Sequence, residues 1–261
     1  MKRARPLCLL ALLSLSASCA PTKREAAPVV HYASTQVSSD CIIGSDTSRV
    51  VLDWPRFEGG APGVADSLSE ATRAFVLAGW GGGSAFSHED SLTRAFFDEL
   101  VLVQERTGLR QPWHLNRRVE VLGDTLGTLS LSFVESSYLG GAHPNTQSRR
   151  QVRDRNDGRR LTYADLFRAD SRDSLSAVCE PYFRTARELT HDVSLDGLGF
   201  WFASGRFLVN DNFALTSAGL RFRFDAYEIA PYAMGPTDFV VPYAAVRSFA
   251  RADGPLKREG R

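Results

Sequence analysis

The strongest constraint on the fold lies between residues 113 and 133. Trp113, Leu115, Val119 and Val121 alternate with His114, Asn116, Arg118 and Glu120, the period of a strand with one buried face. Leu122-Gly123-Asp124-Thr125-Leu126-Gly127 turns the chain, and Leu129, Leu131 and Phe133 alternate back. The pattern predicts an antiparallel hairpin whose apolar face needs a cover. Two candidate covers precede it. Val64, Leu68, Ala71 and Phe75 recur at helical spacing, as do Leu92, Phe96, Leu100 and Val103. Ser87 with Asp90 reads as a capping box at the start of this second helix, and Gly108 as its end. A short strand is expected at Val50-Val51-Leu52-Asp53-Trp54, ended by Pro55. Gly79-Trp80-Gly81-Gly82-Gly83-Ser84 reads as a flexible loop. It lacks the Lys-Ser/Thr and the feeding strand of a phosphate-binding loop.

Beyond the hairpin, Gln147 to Arg155 forms a third extended segment that turns at Asn156-Asp157-Gly158. Thr162 and Asp165 start a helical turn through Leu166-Phe167. A longer helix follows, with Leu175, Val178, Tyr182, Ala186 and Leu189 on one face and Cys179 at its border. Phe200-Trp201-Phe202, Phe207-Leu208-Val209, Phe213-Ala214-Leu215, Leu220 to Phe224 and Phe239-Val240-Val241 read as short strands. Pro242 stops the last. Without strict βαβ alternation these elements give an α+β class: antiparallel sheets with helices packed on one face, in two small subdomains. The expected limits are 48–155 for the N-terminal subdomain and 156–250 for the C-terminal one. Residues 251–261, in a stretch rich in Lys and Arg, are expected to be a disordered tail.

The N-terminus follows a different logic. Lys2, Arg3 and Arg5 precede an apolar run from Pro6 to Ala20 in which Ser16-Ala17-Ser18-Cys19 supplies small side chains. A charged region, an apolar region and a small-residue cleavage site predict a signal peptide over 1–18. The run is shorter than the roughly 20 apolar residues of a membrane span, and no later stretch approaches that length. Leu15-Ser16-Ala17-Ser18-Cys19 looks like a lipobox, with Ser16 in the usual Leu position, so Cys19 is the expected lipidation site. Residues 19–47, with Pro21 and Pro28, read as a tether. Cleavage before Cys19 takes three of the 31 Lys and Arg residues and none of the 30 Asp and Glu. So balanced a chain has no call on a polyanion: nucleic acid is not an expected partner, and membrane contact is expected through the lipid anchor alone.

Cys41 and Cys179 are then the pair left in an oxidising compartment. They are expected to form a disulfide, the alternative being two unrelated buried thiols. No Cys-x-x-Cys pair occurs, and neither a metal nor a cofactor is expected. Catalytic templates fail too: there is no Gly-x-Ser-x-Gly, no His-Glu-x-x-His and no Gly-x-x-x-x-Gly-Lys. The five histidines (His31, His88, His114, His143, His191) are scattered. Arg149, Arg150, Arg153, Arg155, Arg159 and Arg160 read as the charged face of a solvated edge strand, or as a docking patch for an acidic partner.

Two segments are more particular. In Tyr138-Leu139-Gly140-Gly141-Ala142-His143-Pro144-Asn145, Gly140 and Gly141 permit close backbone approach and Pro144 restricts His143. In Phe224 to Gly235, Tyr227, Glu228 and Tyr232 surround Pro231 after an alternating strand. His143, Asn145, Tyr227, Glu228 and Tyr232 are the candidate ligand-binding surface. Each segment could equally be architectural, with Glu228 capping a turn.

Those two segments, with Asp157 to Phe167 between them and Phe213 to Val246 around the second, resemble the RsiV-type extracytoplasmic module. It is found in lysozyme-sensing anti-sigma factors and as the non-catalytic part of PdaC-type peptidoglycan deacetylases. Leu52-Asp53-Trp54-Pro55 is similar to the opening of its smaller half, so the resemblance spans about residues 48–250. No sigma-binding segment joined to a membrane helix and no deacetylase domain is visible, so the module alone carries over. The resemblance implies an exported, non-catalytic envelope binding protein whose partner is a protein such as lysozyme, or cell-wall glycan. The contrasting expectation is an envelope glycan hydrolase or deacetylase with His143 and Glu228 as acid and base. A third is a purely structural envelope component.

Overall fold

A computed structural model describes residues 29–80, 83–190 and 193–257. The expected signal peptide over 1–18, Cys19, the start of the expected tether, Gly81, Gly82, His191 and residues 258–261 lie outside the described residues. Six strands follow one another across one sheet: β1 (Val30–Ile43), β2 (Asp46–Gly59), β3 (His114–Thr125), β4 (Thr128–Tyr138), β5 (Asn145–Asp154) and β6 (Arg160–Leu161). A second sheet holds β7 (Phe213–Thr216), β8 (Gly219–Phe224) and β9 (Thr237–Val241). The helices are α1 (Val64–Val76), α2 (Glu89–Thr107), α3 (Tyr163–Leu166), α4 (Arg172–Ala186) and α5 (Tyr243–Val246). The fold is α+β. Among the described residues, no helix is long and apolar enough to cross a membrane.

The 113–133 hairpin forms as its alternation requires, β3 against β4 with Leu126-Gly127 as the two-residue turn. One pairing departs from the expected antiparallel sheets. β2 runs parallel to β3 from Arg49↔His114 to Asp53↔Arg118, and α1 and α2 provide the crossover that a parallel pair needs. Val64, Leu68 and Val76 of α1 and Leu92, Phe96 and Leu100 of α2 are buried with Leu52, Trp54, Leu131 and Phe133. The α2 start is shifted by one residue: Ser91 Oγ accepts from His88 N at 3.3 Å, and Gly108 ends the helix with φ 71°. The described residues that flank Gly81 and Gly82 lie close together. Phe86 N donates to Leu77 O at 2.8 Å, and Trp80 stacks on Phe86 at 5.2 Å.

Several expectations need correction. The tether over 19–47 does not describe residues 30–47, because β1 pairs with β2 along its whole length, from Val30↔Gly59 to Ile43↔Asp46. Its partly buried positions are mostly small and polar (Thr35, Ser39, Cys41), so no apolar period marks it. Pro55 does not end β2. It lies past the last β3 pairing at Asp53, where the strand has a free edge and tolerates proline. The buried face of α4 is Leu175, Ser176, Cys179 and Phe183, turned from the expected stripe, with Ala186 exposed. The runs at 200–202 and 207–209 are not strands. Phe200, Phe202 and Phe207 instead surround Phe183, at ring distances of 5.3, 5.7 and 5.0 Å. The tail is ordered through residue 257. Leu256 is 1 % exposed in the second core, and Arg251 N donates to Leu166 O at 2.9 Å.

The expected disulfide is also absent: Cys41 and Cys179 are free thiols. Cys41 sits on β1 beside the first core, whereas Cys179 is fully buried in the second. Burial pushes the Cys179 thiol up to about 12, so it lacks the thiolate that disulfide exchange needs.

The second core gathers Leu166, Phe183, Phe200, Phe222, Phe224, Phe239 and Val241. The expected boundary at 155/156 falls between β5 and β6 of the six-stranded sheet. The two cores meet where β7 lies against β3, β4 and β5. There Leu215 N donates to the buried Ser130 Oγ at 2.8 Å. A Cβ on Gly123 would stand 2.2 Å from Leu215 O.

The arginine-rich segment is only in part a solvated face: Arg149, Arg159 and Arg160 are exposed as expected, whereas Arg150 is a buried joint between the sheets. Arg150 is 3 % exposed and pairs with Asp238 of β9 while donating to Arg221 O at 3.2 Å. Arg155 pairs with Asp124 at 2.8 Å, Arg159 with Asp165 at 2.8 Å, and Arg153 donates to Gln151 Oε1 at 2.6 Å. The half of β5 that β6 leaves unpaired is closed by side chains. Asn212 Oδ1 accepts from Arg150 N at 2.7 Å, and Asn212 Nδ2 donates to Ser148 O at 3.1 Å. Asp225 accepts from Ser148 N at 2.6 Å and from Ser148 Oγ at 2.8 Å.

Two of these carboxylates tie stability to pH. Burial alone would raise Asp238, but hydrogen bonds and charge from Arg150 and Arg223, with the charge of Arg221, hold it below the usual range. For Asp165, partial burial is likewise outweighed by Thr162 N, Arg159 and Thr162 Oγ1, which bring it to about 2. A carboxyl depressed on folding contributes stability that is complete above its unfolded value, about 3.9 for Asp, and is lost as pH falls through the folded value. Urea unfolding should therefore show stability declining from about pH 4 to pH 2, and Asp165→Asn should flatten that decline. An unchanged slope in the variant would remove Asp165 from the account.

Candidate functional site

The two segments singled out in the sequence meet on one surface. The loop at 139–144 joins β4 to β5, and the segment 225–235 follows β8 in the other sheet. Leu139 is exposed at the loop's start. Gly140 needs its glycine, with φ 83° and Gln111 Oε1 3.0 Å from where a Cβ would be, whereas Gly141 is in open space. Pro144 O is the joint between the segments: it accepts from Tyr232 OH at 3.2 Å and lies 2.9 Å from His143 Nδ1.

These contacts bring three rings together. His143 stacks on Tyr232 with centroids 4.1 Å apart and planes 21° apart. Tyr227 lies 5.5 Å from Tyr232 and 6.2 Å from His143. Tyr227 is 57 % exposed and Tyr232 38 %, so the cluster faces solvent instead of completing the core. Asn145 opens β5 beside it, exposed and opposite Ser137, but no described contact joins it to the rings.

Glu228 serves the turn that carries Tyr227. Its Oε2 accepts from Asp225 N at 2.9 Å and its Oε1 from Asn210 Nδ2 at 2.7 Å. Oε2 thus caps the turn's backbone, the role that the sequence left open, while Oε1 ties the turn to the side chain of Asn210. That suits presentation of a surface better than proton transfer by Glu228 and His143. Asp225, two residues before Tyr227, ties the turn to β5 through Ser148 and to β8 through Arg223 at 2.8 Å.

Sequence reasoning missed Trp201. It sits between the buried Phe200 and Phe202, yet is 48 % exposed. Trp201 N donates to Ile229 O at 2.9 Å, and its indole Nε1 to Glu228 O at 3.2 Å. The Phe-Trp-Phe alternation held the signal, since a single reversal of faces puts the tryptophan outside. Among the described residues, no group of three or more His, Cys, Asp or Glu could hold a metal ion.

Tyr227 has φ 67°, a left-handed conformation that costs a non-glycine residue about 1–2 kcal/mol. Strain of this kind persists where the surroundings impose it and marks sites where a side chain's position matters. Tyr227→Asn should relieve it and stabilise the chain by up to ~1 kcal/mol, because asparagine tolerates this conformation. A loss of thermal stability in that variant would show that the ring contacts outweigh the strain.

The comparisons with known proteins concern fold and not activity. No curated protein matches the chain. A DUF3298-family protein from Pseudomonas aeruginosa PAO1 superimposes with TM-score 0.65 at 17 % identity, over 86 % of this chain and 95 % of that one. A DUF3298-family protein from Bacteroides fragilis NCTC 9343 superimposes with TM-score 0.70, also at 17 % identity, over 89 % of this chain and 98 % of that one. The family model described as "Protein of unknown function (DUF3298)" matches residues 164–244, the stretch that holds α4, β7 to β9 and the Tyr227–Tyr232 segment.

Proposed function

We propose that this chain is an exported envelope binding protein, lipid-anchored through Cys19, and that it works as an RsiV-type module. Its ligand in this reading is lysozyme or peptidoglycan, taken at the face of His143, Tyr227, Tyr232 and Trp201. The observation that carries the reading is that exposed aromatic cluster, supplied jointly by two loops and held by a strained Tyr227. Aromatic side chains with polar tips are the usual anchors of recognition surfaces, because they bury much area at little entropic cost. The resemblance in the sequence supports the ligand classes, and the lipobox-like Leu15 to Cys19 supports the anchor.

Calorimetric titration of the purified chain with hen-type lysozyme, and separately with soluble peptidoglycan fragments, tests it. The expected result is micromolar or tighter binding to one of them, about −8 kcal/mol or better, lost in Trp201→Ala/Tyr227→Ala. Both side chains are exposed, so the double variant should keep its thermal stability. Absence of heat with both ligands would overturn the proposal.

A further inference from the structure

Strand β1 is the outermost strand of the six-stranded sheet, and among the described residues no strand pairs with its outer edge. Natural sheets protect such edges with lysine, proline, a bulge or a short strand. β1 has none of these. It is 14 residues long, contains no Lys, Arg or Pro, and runs against β2 one-to-one without a bulge. Its one carboxylate, Asp40, is paired with Arg49 of β2 at 2.6 Å.

We infer that β1 pairs antiparallel with β1 of a second copy of this chain, about a two-fold axis at Val37. The axis follows from the side chains. A two-fold perpendicular to a sheet returns each face to itself, so facing residues must have numbers with an even sum. With Val37 on the axis that sum is 74, and residues 31 to 43 of each copy are paired. Tyr32 then faces Ile42. These are the large apolar side chains that β1 leaves exposed, at 48 % and 72 %, and aromatic against β-branched is among the favourable cross-strand pairs. Asp40 faces Ser34, so no like charges oppose each other. Both adjacent even registers are poorer. Centring on Gln36 sets Tyr32 against Asp40 and Ile42 against the already buried Val30, and centring on Ser38 sets Ile42 against Ser34 and Tyr32 against Gly44, beyond the strand.

Analytical ultracentrifugation of the purified chain should show a monomer–dimer equilibrium in the micromolar range, as suits a small interface. Gln36 and Ser38 are exposed and face each other across the axis, so Gln36→Lys/Ser38→Lys sets four lysines together and should leave only monomer. The register has its own readout. Val37→Cys in a Cys41→Ser background should crosslink under mild oxidation, since residues on the axis bring their Cα atoms to about 4.5–5.5 Å. Cys41 of the unaltered chain should not, because two such residues lie about 26 Å apart along the strands. A chain that stays monomeric at about 100 µM, a dimer that persists in the lysine variant, or a crosslink through Cys41 would each overturn the inference.

Discussion

Arg117→Ala should unfold at a markedly lower urea concentration than the parent, with a loss of about 3–5 kcal/mol. Arg117 is 1 % exposed, the largest fully buried side chain among the described residues. Its Nη1 donates to Val76 O at 3.0 Å and also to Ala78 O, closing the C-terminal end of α1, and its Nε donates to Glu135 Oε2 at 2.7 Å. Helix C-termini leave carbonyls without partners, and a cation there satisfies both their hydrogen bonds and the helix dipole. Truncation opens a cavity, strips those carbonyls and leaves Glu135 without its counter-charge. Arg117→Met separates the causes. It restores most of the volume and none of the donors, so it should recover only part of the loss. Stability equal to the parent's in the Met variant would show that volume alone was at stake.

Gly123→Ala should be nearly as costly, at about 3 kcal/mol, the upper end of what overpacking usually costs. The added methyl would stand 2.2 Å from Leu215 O and 2.9 Å from Thr216 Cα. Both obstacles are backbone of β7, so no side chain can turn away. The sheets must separate there, which also strains the Leu215 N to Ser130 Oγ hydrogen bond. Gly141→Ala is the matched control, because nothing lies within 4 Å of its would-be Cβ and its φ is not in the left-handed region. Thermal unfolding of the two variants side by side checks the contrast. Equal midpoints would mean that the sheets yield at Gly123 without cost.

What the sequence disclosed followed one-sided burial. β3 and β4 were legible because one face is apolar and the other polar, and α1 because its period is helical. β1 was hidden because Thr35, Ser39 and Cys41 interrupt the apolar inward positions Val30, Val37 and Ile43. Arg117 was hidden by the rule that made the hairpin legible: it occupies an inward position of β3, where polar residues are read as outward. The Tyr227, Glu228, Tyr232 and His143 segments were found by composition, but nothing in either segment says that they meet. Their meeting depends on Asn212 and Asp225 closing the edge of β5, a long-range match of polar atoms that leaves no periodic trace. Trp201 differs: the Phe-Trp-Phe alternation marked it as outward, but its place beside the Tyr227 turn comes from a backbone bond to Ile229 and was not legible.

The aromatic face draws His143 from a loop of one sheet and Tyr227 and Tyr232 from a loop of the other. A ligand that covers all three rings therefore acts as a removable rivet across the seam. Its binding free energy adds to whatever holds the β5 edge to Asn212 and Asp225, and opening the seam must first expel it. Occupancy should then slow amide exchange at Ser148 and Arg150, several residues from the rings, as well as at the loops that touch the ligand.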